Sequence, residues 1–257
     1  QSKHTTQLVG TVGLSLPTIP TILMNIVHLT PDESAPFVNP ADVHVYAVNM
    51  DALRDEQARF SSTLSADERA RAAKFRFAHL RERFIIRRGL LRSLLAYYTR
   101  TSPAAIVYTH GTHGKPALAP GMCPPGFVFN VSHSDEYVLF GFTHAAAVGV
   151  DIEKPTPIAD MLLVAKHHFS HAEQQTLFSL PEDERIVAFY HTWTRKEAIV
   201  KAIGNGITYP LSSFTVTMRQ DEPASLLHAD DPDLLAYQLA NIPVDGPCIA
   251  ACAVQRP

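Results

Sequence analysis

The stretch Trp193-Thr-Arg-Lys196-Glu197-Ala-Ile-Val-Lys201 holds the residues best suited to chemistry, because it sets one carboxylate among three cations. On a helix, Trp193, Glu197 and Lys201 fall at i, i+4 and i+8 on one face, with Ile199, Ala202 and Ile203 turned toward a core. That face suits a metal ion bound to phosphate. It also describes a solvated helix with an i, i+4 Glu-to-Lys pair, worth roughly a few tenths of a kcal/mol. What else converges there decides between the two.

Asp151 and Glu153 lie two apart in the strand-like Val148-Gly-Val-Asp-Ile-Glu153, so both side chains leave one face and Ile152 leaves the other. Two carboxylates on one face repel unless they share a proton or a cation. With Glu197 they form three hard oxygen ligands, a set that suits magnesium. A salt bridge of Glu153 with Lys154 or Lys196 is the competing structural reading.

Three further segments offer ligand contacts. Arg69, Arg71, Lys74, Arg76, Arg81, Arg83, Arg87, Arg88 and Arg92 alternate with apolar residues, which predicts an amphipathic helix over 69–92 whose guanidinium forks match phosphate oxygens. Gly111-Thr-His-Gly114-Lys115-Pro116 puts Lys115 on a glycine turn, although the glycine spacing and Pro116 exclude a Walker A loop. Phe129-Asn130-Val-Ser132-His133-Ser134 is expected to be a strand end running into a polar loop. Ser132 and His133 are adjacent and lack a nucleophile elbow, which argues against a serine hydrolase. His167 and His171 are separated by a helix start at Ser170, so the histidine cluster there does not read as zinc.

The elements that position these residues are laid out twice. Val43-His-Val-Tyr-Ala-Val48 and Val148–Glu153 are strand-like at an offset of 105. Ser65-Ala-Asp-Glu68 and Ser170-His-Ala-Glu173 are capping boxes at the same offset. Carried into the long helices, that offset sets Phe84 on Phe189, Arg88 on Trp193 and Arg92 on Glu197. The pattern predicts two similar α+β halves, 43–147 and 148–257, with a cleft between them and an N-terminal extension over 1–42. Further strands are expected at 127–129, 137–142, 214–218 and 249–254.

Composition sets the outer bounds. With 257 residues, 46% hydrophobic and 18% charged, the chain has the make-up of an ordinary globular protein. A net charge of −3 supplies no general field for nucleic acid or an anionic membrane, so anion binding must be local. Cys123, Cys248 and Cys252 form neither a disulfide framework nor a zinc pattern, as expected of a cytoplasmic protein. The charge-free run from Leu8 to Leu29 is interrupted by Pro17 and Pro20 and is expected to pack on the body of the protein rather than span a membrane.

Taken together, these residues resemble the 4′-phosphopantetheinyl transferases of the Sfp type. Five pieces carry the likeness in order from about Val43 to Val254: Leu64-Ser65 to Arg92, Gly114-Lys115-Pro116, Phe129-Asn-Val-Ser-His133, Gly149-Val-Asp-Ile-Glu153, and Trp193 to Ala198 with Lys201 and Gly204-Asn-Gly206. The resemblance implies a monomeric pseudo-dimer of two α+β halves. Its implied reaction is transfer of the phosphopantetheine arm of coenzyme A to a serine of an acyl or peptidyl carrier protein.

By motif position, the resemblance has Asp151, Glu153 and Glu197 hold Mg2+. Lys201, with Lys196, neutralises phosphate charge, and Arg71, Lys115, Asn130, Ser132 and His133 bind coenzyme A. As the carboxylate closest to cationic neighbours, Glu197 is expected to take the serine proton, directly or through a metal-bound water, with Glu153 the rival base. His110 and His113 stand where relatives often carry Arg or Lys, which leaves the holder of the 3′-phosphate open. A magnesium-dependent nucleotide hydrolase and a non-catalytic coenzyme A-binding module are the alternatives.

Overall fold

Alternating strands and two capped helices recur along the chain, and each recurrence builds its own sheet. The computed structural model describes residues 26–28, 42–110, 116–204 and 209–255. Most of the N-terminal extension, the turn carrying His113, Gly114 and Lys115, and Asn205-Gly206 lie outside the described residues.

The first half comprises β1 (Ile26–His28), β2 (Val43–Asn49), α1 (Gln57–Thr63), α2 (Ala66–Ala73), α3 (Ala78–Thr99), β3 (Tyr108–His110), β4 (Pro116–Leu118), β5 (Val128–Ser134) and β6 (Tyr137–Thr143). The second comprises β7 (Val148–Glu153), α4 (Met161–His168), α5 (His171–Ser179), α6 (Glu182–Ile203), β8 (Phe214–Val216), β9 (Leu226–Ala229), β10 (Tyr237–Asn241) and β11 (Ile249–Gln255). In the first, β6 pairs antiparallel with β2 and β5, and β1 adds a parallel edge beside β2. In the second, β11 pairs antiparallel with β7 and β10. Each half therefore runs strand, capped helix, 22-residue helix, single 3-10 turn, short hairpin and two closing strands. This is an α+β pseudo-dimer.

Period-two alternation explains how the halves pack. Val43, Val45, Tyr137 and Leu139 face Val148, Val150, Ile152, Ala250, Cys252 and Val254 in a core shared by the two sheets. The opposite face of the first sheet packs on α3 through Tyr46, Val48, Phe129 and Phe140, and that of the second packs on α6 through Ala251 and Ala253. One strand parity thus serves the shared core, and the other, which includes Gly149, Asp151 and Glu153, serves α6.

Both predicted capping boxes form, at Ser65/Glu68 and Ser170/Glu173. Two expectations are corrected. The basic segment is not one helix, because the chain turns over Lys74–Phe77 and folds α2 back on α3. That turn packs Phe75 against Phe84, with ring centres 5.2 Å apart, and brings Glu68 to Arg92. The offset of 105 holds for β2 and β7 and for the two caps but drops to 104 between the starts of α3 and α6. Arg92 therefore corresponds to Lys196, and Glu197 corresponds to Ser93. Among the described residues no helix is long and apolar enough to cross a membrane.

Candidate active site

β7 is an edge strand of its sheet, and β5 is an edge strand of the other. No backbone ladder joins them; side chains from alternate positions of β5 do. Asn130 Oδ1 accepts the Val150 N–H at 2.9 Å, and Ser134 Oγ accepts the Lys154 N–H at 3.2 Å. Ser132 Oγ donates to Asp151 Oδ1 and Ser134 Oγ to Glu153 Oε2, each at 2.8 Å. The segment expected to be a polar loop is thus strand through Ser134, and its polar residues satisfy the exposed edge of β7.

α6 lies against the other side of β7. A Cβ on Gly149 would stand 2.0 Å from Ala198 O and 2.3 Å from Ala202 N, so only glycine allows this approach. The crossing brings Lys201 Nζ to 2.5 Å from Asp151 Oδ1 and 2.9 Å from Ser132 Oγ. Glu197, one turn earlier, is half-buried and accepts no hydrogen bond from the described residues. Trp193, at the start of the same face, stacks on Phe189 with centroids 5.8 Å apart and packs without chemistry of its own.

The three carboxylates share an electrostatic environment. Burial pushes Asp151 up from its ordinary range, against the pull of Lys201 and Ser132. Burial and then Asp151 push Glu153 up, while Ser134 and Lys201 oppose them. Glu197 is raised by burial and by Asp151, with Lys201 opposing and Glu153 adding to the rise. Asp151 Oδ2 is buried with no hydrogen-bond partner. Three acids facing one ammonium, with an orphaned oxygen among them, fit a hard divalent cation. Among the described residues no three acidic, histidine or cysteine side chains are drawn together closely enough to enclose an ion. The Lys201 ammonium is the cation that Asp151 Oδ1 meets among the described residues.

The remaining expected residues separate. Ser132 joins the cluster. Asn130 bridges β5 to β7, and its oxygen is engaged there. Lys196 is fully buried on another side of α6, paired with Glu173 at 2.8 Å, and does not face the cleft; the expectation that it meets phosphate is corrected. Lys154 binds Glu136 rather than Glu153. His133 is exposed and continues the row Phe129 and Val131, on the face of β5 that packs toward α3. Arg71 is exposed and lies over Phe84, 5.6 Å from its centre. Lys115 lies outside the described residues. His167 and His168 end α4 while His171 begins α5, as their separation by Ser170 predicts.

One residue escaped the sequence reading except as a member of a basic run. Arg87 lies half-buried over Phe84, 5.8 Å from its centre, with no carboxylate partner among the described residues. Burial, then Arg88 and Arg71, holds its guanidinium down to about 10. Arg88 stands 3.3 Å from Glu68 and 5.3 Å from the Tyr108 ring. Arg71, Arg87 and Arg88 are near enough to influence one another and together can attract an anion. At the seam, a cavity of about 510 Å³ is lined by residues that include Leu118, Phe129, Ala147, Ala202, Gly204 and Tyr237.

A carboxylate and lysine cluster at the seam of two like halves defines a class, a phosphoryl-chemistry enzyme whose site both halves build. Residues 147–252 match the 4′-phosphopantetheinyl transferase superfamily, and residues 51–144 match 4′-phosphopantetheinyl transferase, N-terminal. The chain is 34% identical over 213 residues to 4′-phosphopantetheinyl transferase HetI of a Nostoc species, covering 83% of this chain and 87% of that protein. It is 33% identical over 184 residues to 4′-phosphopantetheinyl transferase Sfp of Bacillus subtilis, covering 71% and 80%. The chain belongs to the 4′-phosphopantetheinyl transferase superfamily.

Proposed function

We infer that this chain transfers the 4′-phosphopantetheine arm of coenzyme A to a serine of an apo acyl or peptidyl carrier protein, releasing adenosine 3′,5′-bisphosphate. The observation that carries this reading is the meeting of Asp151, Glu153, Glu197 and Lys201 at the seam, with Ser132 of the other half. In the reaction the serine Oγ forms a bond to the phosphorus of the arm, the pyrophosphate P–O bond breaks, and the serine proton must be taken up. Glu197 is the base: burial and two neighbouring acids raise its proton affinity, and unlike Glu153 no hydroxyl donates to it. Lys201 neutralises charge on the pyrophosphate.

Asp151, Glu153 and Glu197 would hold Mg2+, which when bound supplies charge neutralisation to the pyrophosphate. Lys201, held beside Asp151 and Ser132, faces the position the phosphate oxygens would take. Arg87, Arg88 and Arg71, with Lys115 and His133, hold the nucleotide phosphates, and the seam cavity seats uncharged parts of the coenzyme. Exposed Leu162 and Leu163 on α4, 39% and 53% accessible, are where the carrier docks. Both halves of the cleft come from one chain, so a monomer suffices.

The test is incubation with coenzyme A, magnesium and apo carriers of the fatty-acid, polyketide and nonribosomal peptide types, followed by intact mass of the carrier. The arm's mass should appear on a carrier with wild type, and Glu197→Gln should lose turnover. Bisphosphate released with no carrier gaining mass overturns the reading in favour of hydrolysis. Near-full turnover of Glu197→Gln with metal binding unchanged overturns the choice of base.

A further inference from the structure

We propose that Lys196 and Glu173 form a positioning pair that sets the rotation of α6, and through it the placement of Glu197 and Lys201. The positioning role rests on the transferase reading; the pair itself does not.

Lys196 is wholly buried and its three donors are matched. Its Nζ lies 2.8 Å from Glu173 Oε2, 2.8 Å from Leu211 O and 2.5 Å from Phe214 O, and 4.3 Å from the centre of the Phe214 ring. Glu173 is 2% accessible and equally occupied. Its Oε2 also accepts the Ser170 N–H at the start of α5, and its Oε1 accepts the Val216 N–H of β8. One carboxylate therefore ties α5, β8 and α6 together, and the cation of α6 closes the knot.

The other half repeats the arrangement without the chemistry. Arg92 donates to Glu68 Oε2 at 2.6 Å, to Pro103 O at 2.9 Å and to Ile106 O at 3.0 Å, and its guanidinium lies 5.3 Å from the Tyr108 ring centre. Glu68 is likewise the glutamate of a capping box. In both halves the long helix sends a cation to the capping-box glutamate, to two carbonyls around the following 3-10 turn, and under an aromatic ring. Yet α3 carries Ser93 and Tyr97 where α6 carries Glu197 and Lys201. A device that recurs where no carboxylate cluster exists belongs to the architecture.

Its consequence for the site follows from helix geometry. Successive residues are about 100° apart around the axis, so holding Lys196 toward β8 and α5 fixes the direction in which Glu197 leaves the helix. A rotation of about 20° would swing a side-chain atom some 5–6 Å off the axis by roughly 2 Å. That is enough to separate Lys201 from Asp151. A buried pair of this kind is best accounted for by the unique arrangement it imposes.

The test is a double-mutant cycle in the full chain with Lys196→Met, Glu173→Gln and the pair combined, read by thermal midpoint and by kcat and KM for coenzyme A. Both single variants should lower the midpoint. Both should lower kcat about tenfold or more with KM within about twofold, and the combination should be no worse than the worse single. A phosphate ligand would behave differently: Lys196→Met would raise KM about tenfold at an unchanged midpoint, while Glu173→Gln would be silent. That outcome, or additive losses, overturns the proposal. Should Lys196→Met fail to fold, Glu173→Gln decides alone, since it changes no phosphate contact and wild-type kcat in it refutes positioning. If wild type modifies no carrier, the transferase reading has failed while the midpoints still report whether the two side chains are coupled.

Discussion

Gly149→Ala is the sharpest test of how the cluster is assembled. A Cβ there would lie 2.0 Å from Ala198 O, 2.3 Å from Ala202 N and 2.9 Å from Lys201 C, all backbone atoms of one helix that no rotamer change can move. Restoring ordinary contact of about 3.4 Å requires β7 and α6 to part by about 1.4 Å, and overpacking of this kind costs roughly 1–3 kcal/mol or more. Because the clash is with rigid backbone, the upper figure applies; for a chain of this size it corresponds to a fall in thermal midpoint of roughly 6–12 °C. The same movement separates Asp151 and Glu153 from Glu197 and Lys201. Misplacement by about 1 Å can cost on the order of 100-fold in rate. Thermal melts and carrier mass against time measure the two effects. Gly121→Ala is the control: its φ of +84 carries a backbone strain of about 1 kcal/mol, but a Cβ there meets nothing within 4 Å. A Gly149→Ala variant that melts with wild type and turns over within about threefold of it would refute the claim that this crossing sets the site.

Two further outcomes are expected. Arg87→Met should raise KM for coenzyme A about tenfold or more, the value of one charge-assisted hydrogen bond, and leave KM for 3′-dephospho-coenzyme A unchanged; an equal effect on both would move the 3′-phosphate elsewhere. His44 is buried, donates to or accepts from Tyr98 at 2.7 Å, and is held down to about 4 by burial and His144, with Asp42 opposing. Its folded value lies below its unfolded one, so the unfolded chain binds more protons in between. Its contribution is full above pH 6.5 and lost as pH falls toward 4, roughly 3 kcal/mol in all. Urea melts of wild type and His44→Gln across that window should differ in slope, and parallel slopes would contradict the assignment.

The fold was legible where local chemistry repeats. Period-two alternation placed Asp151 and Glu153 on one face and Ile152 in the core, and the capping boxes fixed two helix starts. Trp193, Glu197 and Lys201 share a face because helical spacing alone determines it. What could not be read locally was where each polar side chain finds its partner. Ser134 looks like loop until β7 is known to lie beside it, and Lys196 looks like a phosphate contact until Glu173 is found 23 positions back. A sign was present: each capping-box glutamate is followed 23 or 24 residues later by a cation, Lys196 and Arg92. Extending a single offset of 105 through the helices hid that match by one residue. The break at Lys74–Phe77 is hidden for a similar reason, since basic and apolar residues continue through it with helical spacing and only the tertiary packing of Phe75 on Phe84 interrupts them.

The seam itself explains why the chemistry lies where it does. Were β5 and β7 joined by a backbone ladder they would stand about 4.8 Å apart in one continuous sheet, with no polar group left over. Instead the edge of β7 is satisfied by side chains, Asn130 on Val150 and Ser134 on Lys154. Side chains take the place of carbonyls there, so the gap between the strands is lined by hydroxyls rather than closed. Carboxylates can occupy such a gap at a tolerable desolvation cost because donors already face it. Ser132 and Lys201, one from each half, then meet on a single oxygen of Asp151 and leave the other unpartnered. Duplication thus supplies two like scaffolds, and their unlike edges, serine-bearing β5 against acid-bearing β7, make one polar site from two apolar cores.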